Sequence, residues 1–329
     1  MKLSCIDGKG TNPYENLALE EFLLHDAGDD EIILYLWQNR KTVVIGKNQN
    51  PWKECRAEEL EADGGYLARR LSGGGAVFHD LGNLNFTFLA KSHNYDVIKQ
   101  TEVILKAVES YGVTAERSGR NDITVEGKKF SGNAYYQTGD CCYHHGTILL
   151  SADKQEMAKY LNVSREKLQS KGVDSVKSRV GNLIDFIPNI TVESMRDKLK
   201  AAFGIVYGIE PVAYDESRLS QQTLIESRDR FASWDWKYGR KIMFTDQCDG
   251  RFSWGGIEIE VCVEKGLLKE IKVYSDAMDS SFIELISACL AGCMWNSQSV
   301  YRRIQQILCE SKMRQCMKQD VQALISTMF

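Results

Sequence analysis

The chain is poor in several features that would otherwise decide its class. Four prolines among 329 residues leave little for disordered linkers. No apolar run approaches the about eighteen residues of a membrane helix, so no membrane partner is expected. The opening MKLSCIDGKGTNPY carries no apolar signal core, and the expected compartment is the cytoplasm. Ten cysteines contain no C-x-x-C pair, which argues against a zinc finger or ribbon. Cys289 and Cys293, one helical turn apart, and the adjacent Cys141 and Cys142 read as reduced thiols packed as small apolar side chains. A Walker phosphate loop is also missing: Gly8-Lys9, Gly46-Lys47 and Gly127-Lys128 lack the following Ser or Thr. There is no G-x-G-x-x-G after a strand and no H-E-x-x-H. His144 and His145 are neighbours that strand alternation would send to opposite faces, so they do not make a metal pair.

What the chain does contain is an ordinary globular composition, 43% apolar and 26% charged, enough for one large domain and a smaller one. Composition shifts after Trp236, where WDWKYGRK and CDGRFSWGG bracket a boundary. The expected division is 1–245 and 246–329. Charge is uneven. Residues 65–182 hold sixteen Lys and Arg against twelve Asp and Glu, within a chain of net charge −4. A locally basic middle suits a small anionic ligand better than a nucleic-acid track, which needs a strongly basic domain.

Local patterns give the elements. Asn12-Pro13-Tyr14-Glu15 reads as a capped helix start. EIILYLW and TVVIG read as a strand pair joined by residues 38–41, and LNFTFLA as a strand with Leu84, Phe86 and Phe88 on one face. A helix spans about 95–111 and ends at Gly112. NDITVEGKKFSGNAYY is the clearest hairpin. A Glu126-Gly127 turn sets Thr124 opposite Lys129, Ile123 opposite Phe130 and Asp122 opposite Ser131, with Asp122, Thr124, Lys129 and Ser131 on one polar face. Beyond the boundary, a strand pair with a Lys265-Gly266 turn precedes two helical patterns, 280–295 and 299–328.

Chemistry concentrates in RRLSGGGAVFHDLGN, GRNDITVEGKKFSGNAYY and YHHGTILL. Three consecutive glycines each cost roughly 0.5–1 kcal/mol relative to alanine and need a reason. Either the stretch is a flexible connection, or a ligand lies against bare backbone with Arg69 or Arg70 beside it. On the second reading, glycine amides with Arg70 and Lys129 would hold phosphate oxygens as a nest and two charges. A branched side chain at Gly74 or Gly75 would then cost ligand affinity with little loss of stability.

The wording of these stretches narrows the reading. ARRLSGGGAVFHDLGN, TVVIGKNQNPWKEC, SGRNDITVEGKKFSGNAYY, HHGTILL, SVKSRVGNL and FSWGGIEIEVCVEKG closely resemble the lipoate–protein ligase A family, in the same order and over nearly the whole chain. The resemblance implies an α/β catalytic domain of the biotin/lipoate ligase fold, with mixed β-sheets flanked by helices, and a small α+β C-terminal accessory domain. It implies two-step acyl transfer. The lipoate carboxylate attacks the α-phosphate of ATP to give lipoyl-AMP and pyrophosphate, and an acceptor lysine then takes the lipoyl group as an amide. The implied partners are the lipoyl domains of 2-oxoacid dehydrogenase acyltransferase subunits and the glycine-cleavage H protein, with the ligase itself a monomer.

Carried over motif by motif, the resemblance places Gly73, Gly74, Gly75, Ala76, Val77 and Phe78 along the adenylate and lipoyl pocket and Arg70 on the nucleotide phosphates. Lys129 is the implied catalytic residue, bridging the lipoyl carbonyl oxygen and the α-phosphate. Asn121 and Asp122 begin the strand facing it, and Asp122 is a candidate ligand for Mg2+. Ser72, His79 and His145 are further pocket residues. The acyl tail needs an apolar slot, which Val44, Val77 and Phe78 can supply. Tyr136 departs from the arginine expected at its position, which puts acceptor preference in question. Two rivals remain. One is a lipoyl or octanoyl transferase of the same fold, although residues 162–173 lack the cysteine such carrier-dependent enzymes place there, leaving Cys141 and Cys142 as its candidates. The other is a non-catalytic lipoate sensor, which would have no use for Lys129.

Overall fold

The computed structural model describes residues 1–119, 121–162, 180–239 and 242–329. Most of the 162–173 stretch and the first part of SVKSRVGNL therefore lie outside the described residues. The chain divides into two compact units, one of residues 1–44, 52–68 and 77–237, the other of 45–51, 69–76 and 238–329.

The first unit is built on an eight-stranded mixed sheet. Its strands are β1 (Lys2–Asp7), β2 (Glu31–Trp37), β6 (Asn83–Lys91), β7 (Glu116–Ser118), β8 (Asp122–Val125), β9 (Lys128–Thr138), β10 (Cys141–Leu149) and β11 (Val212–Ala213). The order is β11-β1-β2-β6-β10-β9-β8-β7. β1 runs parallel to β2 and β11, and the other pairs are antiparallel. Helix Pro13–Asp26 begins as its sequence dictates: Asn12 accepts from the Tyr14 amide at 2.9 Å and Pro13 takes the first turn. Helix Val97–Glu109 buries Val103, Ile104, Ala107 and Val108, and Gly112 follows at φ +81°. These side chains join Leu84, Phe86, Phe88, Ile123, Phe130 and Phe203 in one apolar core. Each such side chain contributes about 1.5–3 kcal/mol by leaving water.

EIILYLW and TVVIG do not pair with each other. All seven residues of β2 are buried, and it is enclosed between β1 and β6. β3 (Thr42–Ile45) instead centres a small sheet of order β4-β3-β5, with β4 (Tyr66–Arg69) and β5 (Val77–His79). A strand buried on both faces already has a neighbour at each edge, so the next strand in the chain must pair elsewhere.

In the second unit, β12 (Asp246–Phe252), β13 (Gly255–Glu264) and β14 (Leu267–Ser275) form an antiparallel sheet in that order, one strand more than the expected pair. The Lys265-Gly266 turn is as expected, with both residues at positive φ. Helices Ser280–Leu290, Ser297–Gln305 and Lys312–Ser326 bury Phe282, Ile286, Val300, Ile304, Val321 and Ile325 with Trp254 and Ile259. The expected final helix is two helices. Ser311 caps the second by accepting from the Arg314 amide, which breaks the pattern after Gln305.

Candidate active site

The hairpin of the first unit has the expected turn, Glu126 at φ +50° and Gly127 at φ +75°, and sets Thr124 opposite Lys129. Beyond that the register shifts by one. Ile123 faces Ser131 and Asp122 faces Gly132, so a bulge takes up Phe130, whose ring is fully buried in the core. The bulge lets Phe130 stay inside while Lys129 and Asp122 still meet, Nζ to Oδ1 at 2.6 Å, each about one-third exposed. The bulge also moves Ser131 off the expected polar face, to the side of Ile123, where it is buried; Gly132 takes its place beside Asp122, Thr124 and Lys129. Gly132 makes room for the lysine: a Cβ there would lie 2.9 Å from Nζ. The described end of SVKSRVGNL returns beside it, Val180 pairing in parallel with Lys129 and the Gly181 amide donating to the Lys129 carbonyl at 2.9 Å. Asn121 and Asn133 clamp the base of β8, Asn121 Nδ2 donating to the Asn133 carbonyl and Asn133 Nδ2 to that of Asn121.

His145 and His79 are both buried and sit in separate polar chains. His145 Nδ1 donates to Glu20 Oε1 at 2.9 Å. That carboxylate also accepts from Thr87 Oγ1 at 2.7 Å, and Thr87 accepts from Trp37 Nε1 at 3.0 Å. The His145 ring lies 4.7 Å from that of Tyr143, which in turn lies 5.3 Å from Tyr136. His79 Nδ1 accepts from Asn39, whose Oδ1 accepts from Asn16, whose Oδ1 accepts from Tyr35. Glu20, Thr87, Trp37 and Asn39 were missed from sequence. The available signal was Glu20, a carboxylate on the apolar face of NLALEEFLL. Phe78 is buried against Tyr160 with ring centroids 5.8 Å apart, Val44 is buried and Val77 is partly open.

In the second unit the glycine stretch is tightly engaged. Arg70 is buried and donates from Nε to Ser72 Oγ at 3.0 Å, and from Nη2 to the carbonyls of Gly73 and Gly75 at 2.7 and 2.8 Å. Arg69 donates from Nη1 to the carbonyls of Gly46, Lys47 and Gln49, and burial pushes its pKa down to about 10, so it stays charged. The three glycines are not equivalent. A Cβ on Gly73 would overlap the Ala277 carbonyl oxygen. Gly74 has φ +89°, donates its amide to that oxygen at 3.0 Å, and a Cβ there would lie 3.0 Å from Arg70 Nη2. Gly75 has nothing within 4 Å of its added Cβ. This corrects the expectation of little stability loss at Gly74, where both backbone and packing require glycine. Ala76 is partly exposed.

All ten cysteines are free thiols. Burial pushes Cys142 up to about 11, which leaves no thiolate at neutral pH. Cys141 Sγ lies 3.3 Å from Lys91 Nζ.

The family model for the lipoyl protein ligase A/B catalytic domain matches residues 12–204, and that for the bacterial lipoate protein ligase C-terminus matches 241–325. The lipoate-protein ligase A of Psychrobacter cryohalolentis is 39% identical over 315 residues, 93% of each chain. Among solved structures, P. falciparum LipL1 in complex with lipoate is 29% identical with a TM-score of 0.85, covering 98% of this chain and 99% of that one. The bi-partite lipoate protein ligase of Thermoplasma acidophilum, studied with its E2 lipoyl domain, is 25% identical with a TM-score of 0.62, covering 74% and 98%. Among the described residues no helix is long and apolar enough to cross a membrane. The matched models, the identity over almost the whole chain and the mixed α/β fold agree: this chain belongs to the lipoate–protein ligase A family of enzymes.

Proposed function

We propose that the protein activates lipoate with ATP, forming lipoyl-AMP, and transfers the lipoyl group to the lysine of an acceptor domain. The observation that carries this reading is Lys129, with its one-third exposed amine held by Asp122 and a glycine beneath it. In the first step charge builds on the α-phosphate as the carboxylate oxygen attacks and pyrophosphate leaves. In the second it builds on the lipoyl carbonyl oxygen as the acceptor amine attacks and AMP leaves. One preorganised ammonium serves both, and no covalent nucleophile is needed. Asp122 holds the Lys129 amine in place until phosphate takes its position.

Arg70, Ser72 and Gly73 to Phe78 are assigned to the nucleotide and lipoyl group, with His79, Asn121 and His145 as further pocket residues. Among the described residues no group of three or more His, Cys, Asp or Glu side chains is placed to hold a metal. Asp122 is the residue that would hold magnesium, which would supply neutralising charge at the phosphates. Residues 1–245 carry the chemistry and 246–329 form the accessory domain. The acceptors are lipoyl domains of 2-oxoacid dehydrogenase acyltransferase subunits and the glycine-cleavage H protein, met by a monomer in the cytoplasm. A relative studied together with its lipoyl domain supports that class of acceptor.

The test is mass spectrometry of an apo lipoyl domain incubated with the protein, lipoate, ATP and magnesium. A mass gain that requires ATP is the expected result. A gain only from an acyl-carrier donor would make the protein a transferase.

A further inference from the structure

The histidine beside His145 has no part in the chemistry above. His144 is fully buried on β10, and its two nitrogens face amides from two other elements. Nε2 lies 2.8 Å from Asn133 Oδ1 on β9, and Nδ1 lies 3.2 Å from Gln100 Oε1 on helix Val97–Glu109. The rings of Phe86 and Tyr135 close over it at 5.4 and 5.0 Å. Burial, with smaller contributions from His145 and Arg117, pushes its pKa down to about 3, so the ring is neutral at physiological pH.

A neutral imidazole has a single N–H. Asn133 Nδ2 donates to the Asn121 carbonyl at 3.0 Å, so its Oδ1 must be the atom facing the ring, and the proton sits on Nε2. Nδ1 is then an acceptor, and since Gln100 Oε1 faces it, the Gln100 amide must be exchanged end for end so that its NH2 donates to the ring. That orientation also gives a partner to Gln100 Nε2, which is buried and otherwise lacks one among the described residues. Were the Asn133 amide reversed, its oxygen would face the Asn121 carbonyl, acceptor against acceptor.

Asn133 sits where the chain most needs fixing. Its backbone amide also donates to the Asn121 carbonyl at 2.9 Å, and its own carbonyl accepts from Asn121 Nδ2 at 2.9 Å. Asn121 directly precedes Asp122, the partner of Lys129. The β8–β9 ladder is interrupted by its bulge, so the ladder alone does not set this register.

We propose that His144 is a positioning residue for Lys129: its Nε2–H sets the Asn133 amide, which clamps Asn121 and fixes the carboxylate that aims the lysine amine. This rests on the reading of Lys129 given above.

The test compares His144→Gln, His144→Asn and His144→Leu in lipoylation of an apo lipoyl domain, with melting curves and Lys129→Ala alongside. Glutamine places an amide nitrogen near Nε2 and asparagine near Nδ1. His144→Gln is expected to keep most of kcat. The other two should lose roughly 10²-fold in kcat, as for a reacting group displaced by about 1 Å, with KM for ATP and lipoate little changed. Equal activity in the Gln and Asn variants, or losses that follow melting temperature instead of donor position, would overturn the proposal. Nitrogen-15 NMR of the wild-type imidazoles tests it without a variant. One ring should remain neutral and protonated at Nε2 at about pH 5, below the ordinary histidine pKa; a charged ring or an Nδ1–H tautomer there would overturn it. A fully active Lys129→Ala would remove the reading beneath the proposal, and the proposal with it, while leaving the NMR result unchanged, so the two failures are distinguishable.

Discussion

Lys129 and Arg70 are both basic, both sit in motif stretches, and both were expected to meet phosphate, yet they are held in opposite ways. Lys129 is one-third exposed and has a carboxylate partner on the same hairpin. Arg70 is 5% exposed and donates to a hydroxyl and two backbone carbonyls of the glycine stretch. An ion pair one-third open to water contributes little to stability, about 0–1 kcal/mol, and its members can change partners cheaply. A buried guanidinium that satisfies backbone carbonyls is part of the scaffold, because removing it strands those carbonyls. Charge in a motif therefore does not reveal whether the residue is held ready for ligand or is already shaping the backbone.

The largest effect expected from breaking this contrast is on rate. Lys129→Ala should lower lipoylation by about 10²–10³-fold, and more if both steps use the amine, while the melting temperature stays near wild type. ATP–pyrophosphate exchange and single-turnover transfer from preformed lipoyl-AMP measure the steps separately. Near-normal turnover in both would remove Lys129 from the mechanism.

Next in size are the changes at the glycine stretch. Arg70→Ala should cost about 1–3 kcal/mol of stability, because the Gly73 carbonyl loses a buried donor, and should weaken ATP more than lipoate. Gly73→Val and Gly74→Val should also lower the melting temperature, by steric overlap at the first and by strain at φ +89° at the second. Gly75→Val should melt like wild type but lose the ligand-induced rise in melting temperature. If Gly75→Val keeps wild-type affinities by calorimetric titration, the glycines are scaffold alone.

An effect that is read only in acid follows from His144. Its folded pKa lies near 3, below the ordinary 6.5, so the unfolded chain binds the extra proton first as pH falls. Its contribution to stability is fully present above about pH 6.5 and declines as pH drops toward 3, by up to about 1.4 kcal/mol per unit. Acid unfolding of His144→Gln should lack this component. Identical pH dependence in the two proteins would mean that the ring is charged in the fold.

How much of this could be read in advance depended on the range of the interactions. The Asn12 cap, the Glu126-Gly127 turn and the shared face of Lys129 and Asp122 are set by residues close in sequence and were legible, while the direct contact of the two was not. The bulge at Phe130 was not, because it arises where a core-directed ring competes with strict alternation. The pairing of β2 depends on strands far away in the chain, and the engagement of Gly73 and Gly74 on Ala277 crosses some two hundred residues. The split of the last helix at Ser311 was visible as a capping residue, but apolar periodicity on both sides hid it. Glu20 was the one polar residue whose isolation in an apolar stretch could have announced a buried partner.

The smallest expected effect is at the cysteines. A thioester-forming transferase needs a thiolate, and thiolate requires a thiol held near or below its ordinary pKa by nearby positive charge. Cys142 is driven the other way, up to about 11, first by burial and then by Cys141 and Asp140. Cys141 Sγ lies 3.3 Å from Lys91 Nζ, and its side chain is buried on β10. An acyl-adenylate route has no use for either. Cys141→Ser and Cys142→Ser, singly and together, should leave ATP-dependent lipoylation within about two-fold of wild type, with a stability loss on the order of 1 kcal/mol from placing a hydroxyl in an apolar site. The decisive measurement is intact mass after incubation with lipoyl-AMP under acid quench. A lipoyl adduct on the wild-type chain that disappears in the double variant, together with loss of transfer, would replace the adenylate-to-lysine route by a thioester relay, and Lys129 would then be the general base of that relay instead of the charge that stabilises both steps.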